Sequence, residues 1–225
     1  MSAGAALLLA GALGAAWWFL RGGGLPLRSG NRFVRWMARA ALAFVLPVGV
    51  ALALLGRIEA LWVMPAEFAG LRDRLPMMAP DNLVFGTVAG VVIGLAVAAF
   101  RARRGARPIG RPGALMPRNR RELGWGAAVA LVAGVTEEPF FRLLLPLLIA
   151  LATGNALLGF GVAALIFGAM HAYQGWRGVV ATTLFGGVMA AVYLVSGALW
   201  LVMLLHALID LNGLVVWPAL RPVSR

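Results

Sequence analysis

The stretch Val135-Thr136-Glu137-Glu138-Pro139-Phe140-Phe141-Arg142 puts two carboxylic acids and a guanidinium inside a run that is otherwise apolar from Leu123 to Leu151. A run of that length is read as a membrane-spanning helix, which needs about 20 predominantly apolar residues. Each ionisable group in the middle of such a helix costs roughly 2.5–3.5 kcal/mol on insertion, and marks a functional site whose partners lie elsewhere in the chain. Three charged groups within six residues therefore call for partners on other helices.

The surrounding chain agrees with a membrane setting. Its 225 residues are 62% hydrophobic and only 12% charged, with a mean hydropathy of +0.89. A soluble domain is nearer half apolar and a quarter charged. Cysteine is absent, which removes disulfides and thiolate metal sites. The net charge of +12 comes entirely from arginine. The arginines fall in loops between apolar runs, the pattern of topology determinants and anionic-lipid contacts and not of nucleic-acid binding.

Outward from the charged stretch, apolar runs predict an all-α polytopic transmembrane bundle of about seven spans. They cover residues 3–20, Ala40 to Met64 with a kink at Pro47, 82–100, 122–150, 156–173, 179–196 and 199–217. The first charge, Arg21, follows the first apolar run, where a signal peptide would carry it before. This favours an uncleaved anchor with its N-terminus outside. Residues 21–39, with Arg21, Arg28, Arg32, Arg35 and Arg39, and residues 101–121, with eight arginines and Pro108, Pro112 and Pro117, read as cytoplasmic loops. The 65–81 segment, with Glu67, Asp73 and Asp81 against Arg72 and Arg74, reads as an outside loop. Arg177, Arg221 and Arg225 then fall on the cytoplasmic side with the C-terminus. Gly86, Gly90 and Gly94, at four-residue spacing, read as a helix-packing face. The organisation expected is residues 1–121 as N-terminal spans with two basic loops, and residues 122–225 as a four-helix core holding the active site.

Both histidines of the chain, His171 and His206, fall in those last four spans, together with Glu137, Glu138 and Asp210. Phe167 and His171, His206 and Asp210, and Glu138 and Arg142 are each spaced i, i+4, so each pair shares a helix face. Each pair alone can be structural, as a buried ion pair or an interhelical hydrogen-bonder. Together they form a hydrolytic set. A carboxylate in a low-dielectric site is a usable general base near neutrality, and with a neutral imidazole it can hold and activate a water. A second imidazole can stabilise a tetrahedral oxyanion. Ser29, Ser196 and Ser224 lie in loops or the tail, so water is the natural nucleophile. Two histidines and a glutamate also make a catalytic zinc set, although the spacing is not a helical HExxH. A non-catalytic scaffold or immunity factor with a buried polar cluster is the alternative from another class.

Glu137-Glu138-x-x-x-Arg142, Phe167-x-x-x-His171 and His206-x-x-x-Asp210, in that order over about residues 122–217, resemble the three-part signature of the CAAX prenyl protease and bacteriocin-processing family of intramembrane glutamate-type endopeptidases. The resemblance implies that Glu137 and His171 activate the water and that His206 and Asp210 form the oxyanion site. It implies that Glu138 and Arg142 orient the first carboxylate, with no cofactor. The last position of the signature is often Asn. With Asp210 there, the side chain either carries a proton and donates to the oxyanion or acts by orienting His206.

Arginine without lysine points to a GC-rich bacterial genome, and bacteria generally lack prenylated CAAX proteins. The expected substrate is thus another membrane-associated protein or peptide, such as a bacteriocin precursor or a C-terminal sorting signal, met in the bacterial inner membrane. Depth poses one demand. Glu137 falls ~22 Å along a helix begun at Glu122, whereas His171 ends its own span. A tilted helix, or a break near Pro139, would let them meet.

Overall fold

The computed structural model describes residues 3–22, 30–75, 80–105 and 113–220. Arg28, Ser29, Pro108, Pro112, Arg221, Ser224, Arg225 and the Asp81 side chain lie outside the described residues. The protein is an all-α helical membrane bundle. Its helices are α1 (Ala3–Leu20), α2 (Arg32–Leu55), α3 (Pro80–Arg103), α4 (residues 123–153), α5 (Ala156–Met170), α6 (Trp176–Ser196) and α7 (Leu199–Leu220). Among the described residues, α1, α2, α6 and α7 are long and apolar enough to cross a membrane by length and composition. Helix α4 carries Glu137, Glu138 and Arg142, which lower its hydropathy.

Helix α2 differs from its expected bounds. It starts eight residues before Ala40, at Arg32, and stops at Leu55 rather than Met64. The Asn31 side chain accepts from Phe33 N and caps the start. Gly56, at φ 66°, takes the left-handed conformation that ends it. Arg32, Arg35 and Arg39 therefore ride on helix and not in a loop. Arg39 Nη2 donates to the Phe19 carbonyl at the end of α1, 2.5 Å away, which is how a long basic side chain is accommodated at a helix end. Where a kink at Pro47 is expected, a π-helical segment, Ala41–Val45, ends one residue before the proline.

The same device appears in α4. Pro139 has no N–H to continue the α pattern, yet the helix does not break there. It widens to a π turn over Pro139–Leu144 and returns to α-helix over Leu145–Thr153. The π turn is completely buried, with Phe140 and Phe141 packed on Phe44 of α2 at ring-centroid distances of 5.1 and 5.6 Å.

Two close approaches bring the site helices together. An ideal Cβ on Gly134 of α4 would lie 2.5 Å from the Met203 carbonyl oxygen and 3.0 Å from the Ala207 Cβ of α7. Only glycine lets the two backbones meet there. On α5, a Cβ at Gly168 would collide with Thr183 of α6. Gly86, Gly90 and Gly94 do not act this way. Among the described residues an added Cβ meets nothing within 4 Å at any of them. They line an apolar groove of about 480 Å³ whose other wall is α6 and α7, including Leu205, Leu208 and Ile209. The small side chains widen that groove rather than seat a helix.

Candidate functional site

Helix α4 reaches the site as it enters the π turn, and α7 lies against it through Gly134. That register sets Glu138 opposite His206. His206 Nδ1 donates to Glu138 Oε1 at 2.5 Å, and the second oxygen, Oε2, is 3.0 Å from Arg142 Nε. Glu138 and Arg142 are 0% and 1% exposed and His206 is 3% exposed. A buried carboxylate is tolerable only when paired and hydrogen-bonded, and Glu138 meets both conditions. The pair that the resemblance assigns to orienting Glu137 thus grips His206 directly.

The other face of His206 meets Asp210. Its Nε2 lies 3.6 Å from Asp210 Oδ2, one turn further along α7. This is a charge contact longer than a hydrogen bond. The imidazole therefore sits between two carboxylates, held firmly on one side and loosely on the other.

Glu137 is the less sealed of the two adjacent acids, at 7% exposure against 0% for Glu138. Its carboxyl is within electrostatic reach of His206, Asp210, Glu138 and Arg142. Two neighbouring residues on a helix point about 100° apart. That rotation turns Glu138 to Arg142 and His206 and leaves Glu137 without a direct bond to either.

His171 comes from the end of α5, which stops at Met170 rather than continuing to residue 173. Its Nδ1 is 2.8 Å from the Phe167 carbonyl. A carbonyl can only accept, so Nδ1 carries the hydrogen and Nε2 keeps its lone pair. His171 is within electrostatic reach of Asp210, His206 and Arg142. Phe167 is the common packing partner. Its ring touches His171 (centroids 4.8 Å apart), stands edge-on to His206 (5.9 Å) and lies under the Arg142 guanidinium (4.5 Å). The cation–π contact gives Arg142 a second partner in a place closed to bulk solvent.

Glu137, Glu138, Arg142, Phe167, His171, His206 and Asp210 thus form one neighbourhood built by α4, α5 and α7. Among the described residues no three His, Asp or Glu side chains gather as a metal-holding group. Sequence reasoning missed two members. Tyr173, in the short turn after α5, lies tilted against the His171 ring with centroids 5.9 Å apart, and is within electrostatic reach of Glu137 and Asp210. It is one of only two tyrosines in the chain and stands two residues after His171, a signal that was there to be used. Phe185 of α6 stands edge-on to His206 at 5.6 Å, and nothing in its local sequence singles it out.

Residues 119–212 match the family model described as type II CAAX prenyl endopeptidase Rce1-like. Over that stretch the chain is similar to this family. The match spans α4 to α7 and includes every residue of the three motifs. The Rce1-like family is one of proteases, which supports a peptidase reading for this stretch of the membrane bundle. Comparisons with curated proteins and with solved structures give no match.

Proposed function

We propose that the protein is an intramembrane endopeptidase that cleaves a peptide bond near a terminus of a membrane-associated protein or peptide, with Glu137 and His171 acting on water. The observation that carries this reading is the division of labour between the adjacent acids. Glu138 is consumed by His206 and Arg142, whereas Glu137, 7% exposed, makes no side-chain hydrogen bond or ion pair among the described residues and lies within electrostatic reach of the same imidazole. The tautomer of His171 supports it, because Nε2 is left as an acceptor for a water hydrogen.

In the reaction, water attacks the scissile carbonyl carbon and its proton passes to Glu137. The carbonyl oxygen becomes the oxyanion and takes a hydrogen bond from His206 Nε2–H, while Glu138 balances the imidazolium through Nδ1. Collapse breaks the C–N bond, and the proton held by Glu137 goes to the leaving amine. Asp210, 3.6 Å from Nε2, acts by orienting His206. No cofactor enters these steps. We place the N-terminus outside and the C-terminus in the cytoplasm of a bacterial inner membrane, following the arginine distribution.

The test incubates purified protein with a library of membrane peptides and maps cleavage by mass spectrometry. Glu137→Gln keeps the shape and removes the base, and general-base loss alone is expected to cost about 10²–10⁴-fold in rate with folding intact. Retained cleavage removes Glu137 from the mechanism. Loss of wild-type activity with a chelator, restored by zinc, replaces it with a metal mechanism. A sealed Glu138–Arg142 pair also suits a scaffold, and that reading gains if no peptide is cut and Glu137→Gln leaves the cellular phenotype unchanged.

A further inference from the structure

A second polar feature lies away from these residues, where the start of α2 meets the turn that leads into α4. It is a cavity of about 600 Å³ bounded by Arg32, Arg35, Arg118 and Arg121, with Glu122 as its acid. Glu122 is already taken. Arg32 donates to both of its oxygens, at 3.0 and 2.7 Å, and the Arg118 backbone N–H adds a third bond at 2.7 Å. Four guanidiniums thus face one carboxylate, an excess of three positive charges around one hollow. Arg35 and Arg121 are exposed to that hollow and have no carboxylate partner among the described residues.

The walls fix what such a site accepts. Arg32 is held over the Phe33 ring at 4.3 Å, and that ring stacks on Trp125 at 6.3 Å with planes 5° apart. Trp125 also lines the cavity. An aromatic pair beside arginines at the end of two membrane helices is the arrangement of the membrane–water boundary. A single carboxylate would leave most of the excess charge unbalanced. A phosphate offers several oxygens to forked guanidiniums, which bind it bidentately.

We propose that this cavity binds one phosphate group, carried by an anionic lipid headgroup or free in solution, through Arg35, Arg118 and Arg121. Arg32 and Glu122 form its fixed floor, and the exposed Trp125, backed by the buried Phe33, meets the apolar part of a lipid. The site is separate from the hydrolytic residues and stands whether or not they cleave peptides. It accounts for arginines that topology alone would leave scattered in solvent.

The test uses the full-length protein in neutral detergent, with bound lipid counted by native mass spectrometry. Phosphatidylglycerol, phosphatidylcholine and inorganic phosphate are added separately and in competition. Wild-type protein is expected to retain one phosphatidylglycerol in preference to phosphatidylcholine. The Arg35→Gln/Arg121→Gln variant should weaken retention about thirtyfold, the equivalent of about 1 kcal/mol for each arginine. Arg101→Gln, an exposed arginine of α3, should not. If inorganic phosphate binds and displaces the lipid in the wild type but not in the double variant, the proposal holds with free phosphate as a source. If it does not compete, the lipid is the source. Equal retention of both lipids by the wild type with no phosphate binding overturns the site, and that arm needs no variant to fold. Unchanged retention in a folded double variant overturns it equally.

Discussion

Replacing Gly134 by alanine adds one methyl group at the point where α4 touches α7. The added Cβ would sit 2.5 Å from the Met203 carbonyl oxygen, and ordinary contact begins at 3.4 Å. The obstacle is backbone, so the helices must part by about 0.9 Å rather than a side chain turning aside. Overpacking of this kind costs about 1–3 kcal/mol. The same displacement stretches the His206–Glu138 bond from 2.5 Å beyond the ~2.7–2.9 Å of a good charge-assisted bond. Misplacement of reacting groups by about 1 Å costs on the order of 10²-fold in rate. Gly134→Ala should therefore lower the unfolding midpoint in detergent and reduce peptide cleavage by more than its loss of folded protein accounts for. Gly94→Ala, where a Cβ meets nothing within 4 Å, is the matched control. Wild-type stability and activity in Gly134→Ala would refute the close approach as the element that positions His206.

Three further perturbations read separate parts of the molecule. Glu138→Gln leaves the buried Arg142 without its charge partner and should destabilise by about 3–5 kcal/mol, visible in thermal unfolding, whereas Glu137→Gln should melt near the wild type. Tyr173→Phe keeps the ring contact with His171 and removes the hydroxyl, so a change in cleavage rate without a change in melting would give the hydroxyl a role toward Glu137 and Asp210. Arg32 holds the Glu122 carboxyl below its ordinary value of 4.5, with the Arg118 backbone bond adding to the effect. The clamp's stability is thus fully present above that value and lost as pH falls through the lower folded value. Acid unfolding should show this loss, and Glu122→Gln should abolish that part of the pH dependence.

Some of this protein was legible in its sequence because hydropathy and i, i+4 spacing are local properties. A helix crossing a membrane must satisfy its own backbone hydrogen bonds, so long apolar runs announced the helical bundle. Shared helix faces announced the pairing of Glu138 with Arg142 and of His206 with Asp210. Boundaries were less legible. Arg32, Arg35 and Arg39 read as loop by charge, yet Asn31 caps a helix beneath them and Phe19 offers Arg39 a carbonyl. The four-residue glycine repeat of α3 read as a packing face, but whether a small residue meets a neighbour depends on where the neighbour lies. The choice between Glu137 and Glu138 as the partner of His206 was equally out of reach. It rests on a rotation of about 100° between adjacent residues and on how closely Gly134 lets α7 approach. Contacts between helices are set by backbone positions far apart in the chain, and only the folded structure brings those positions together.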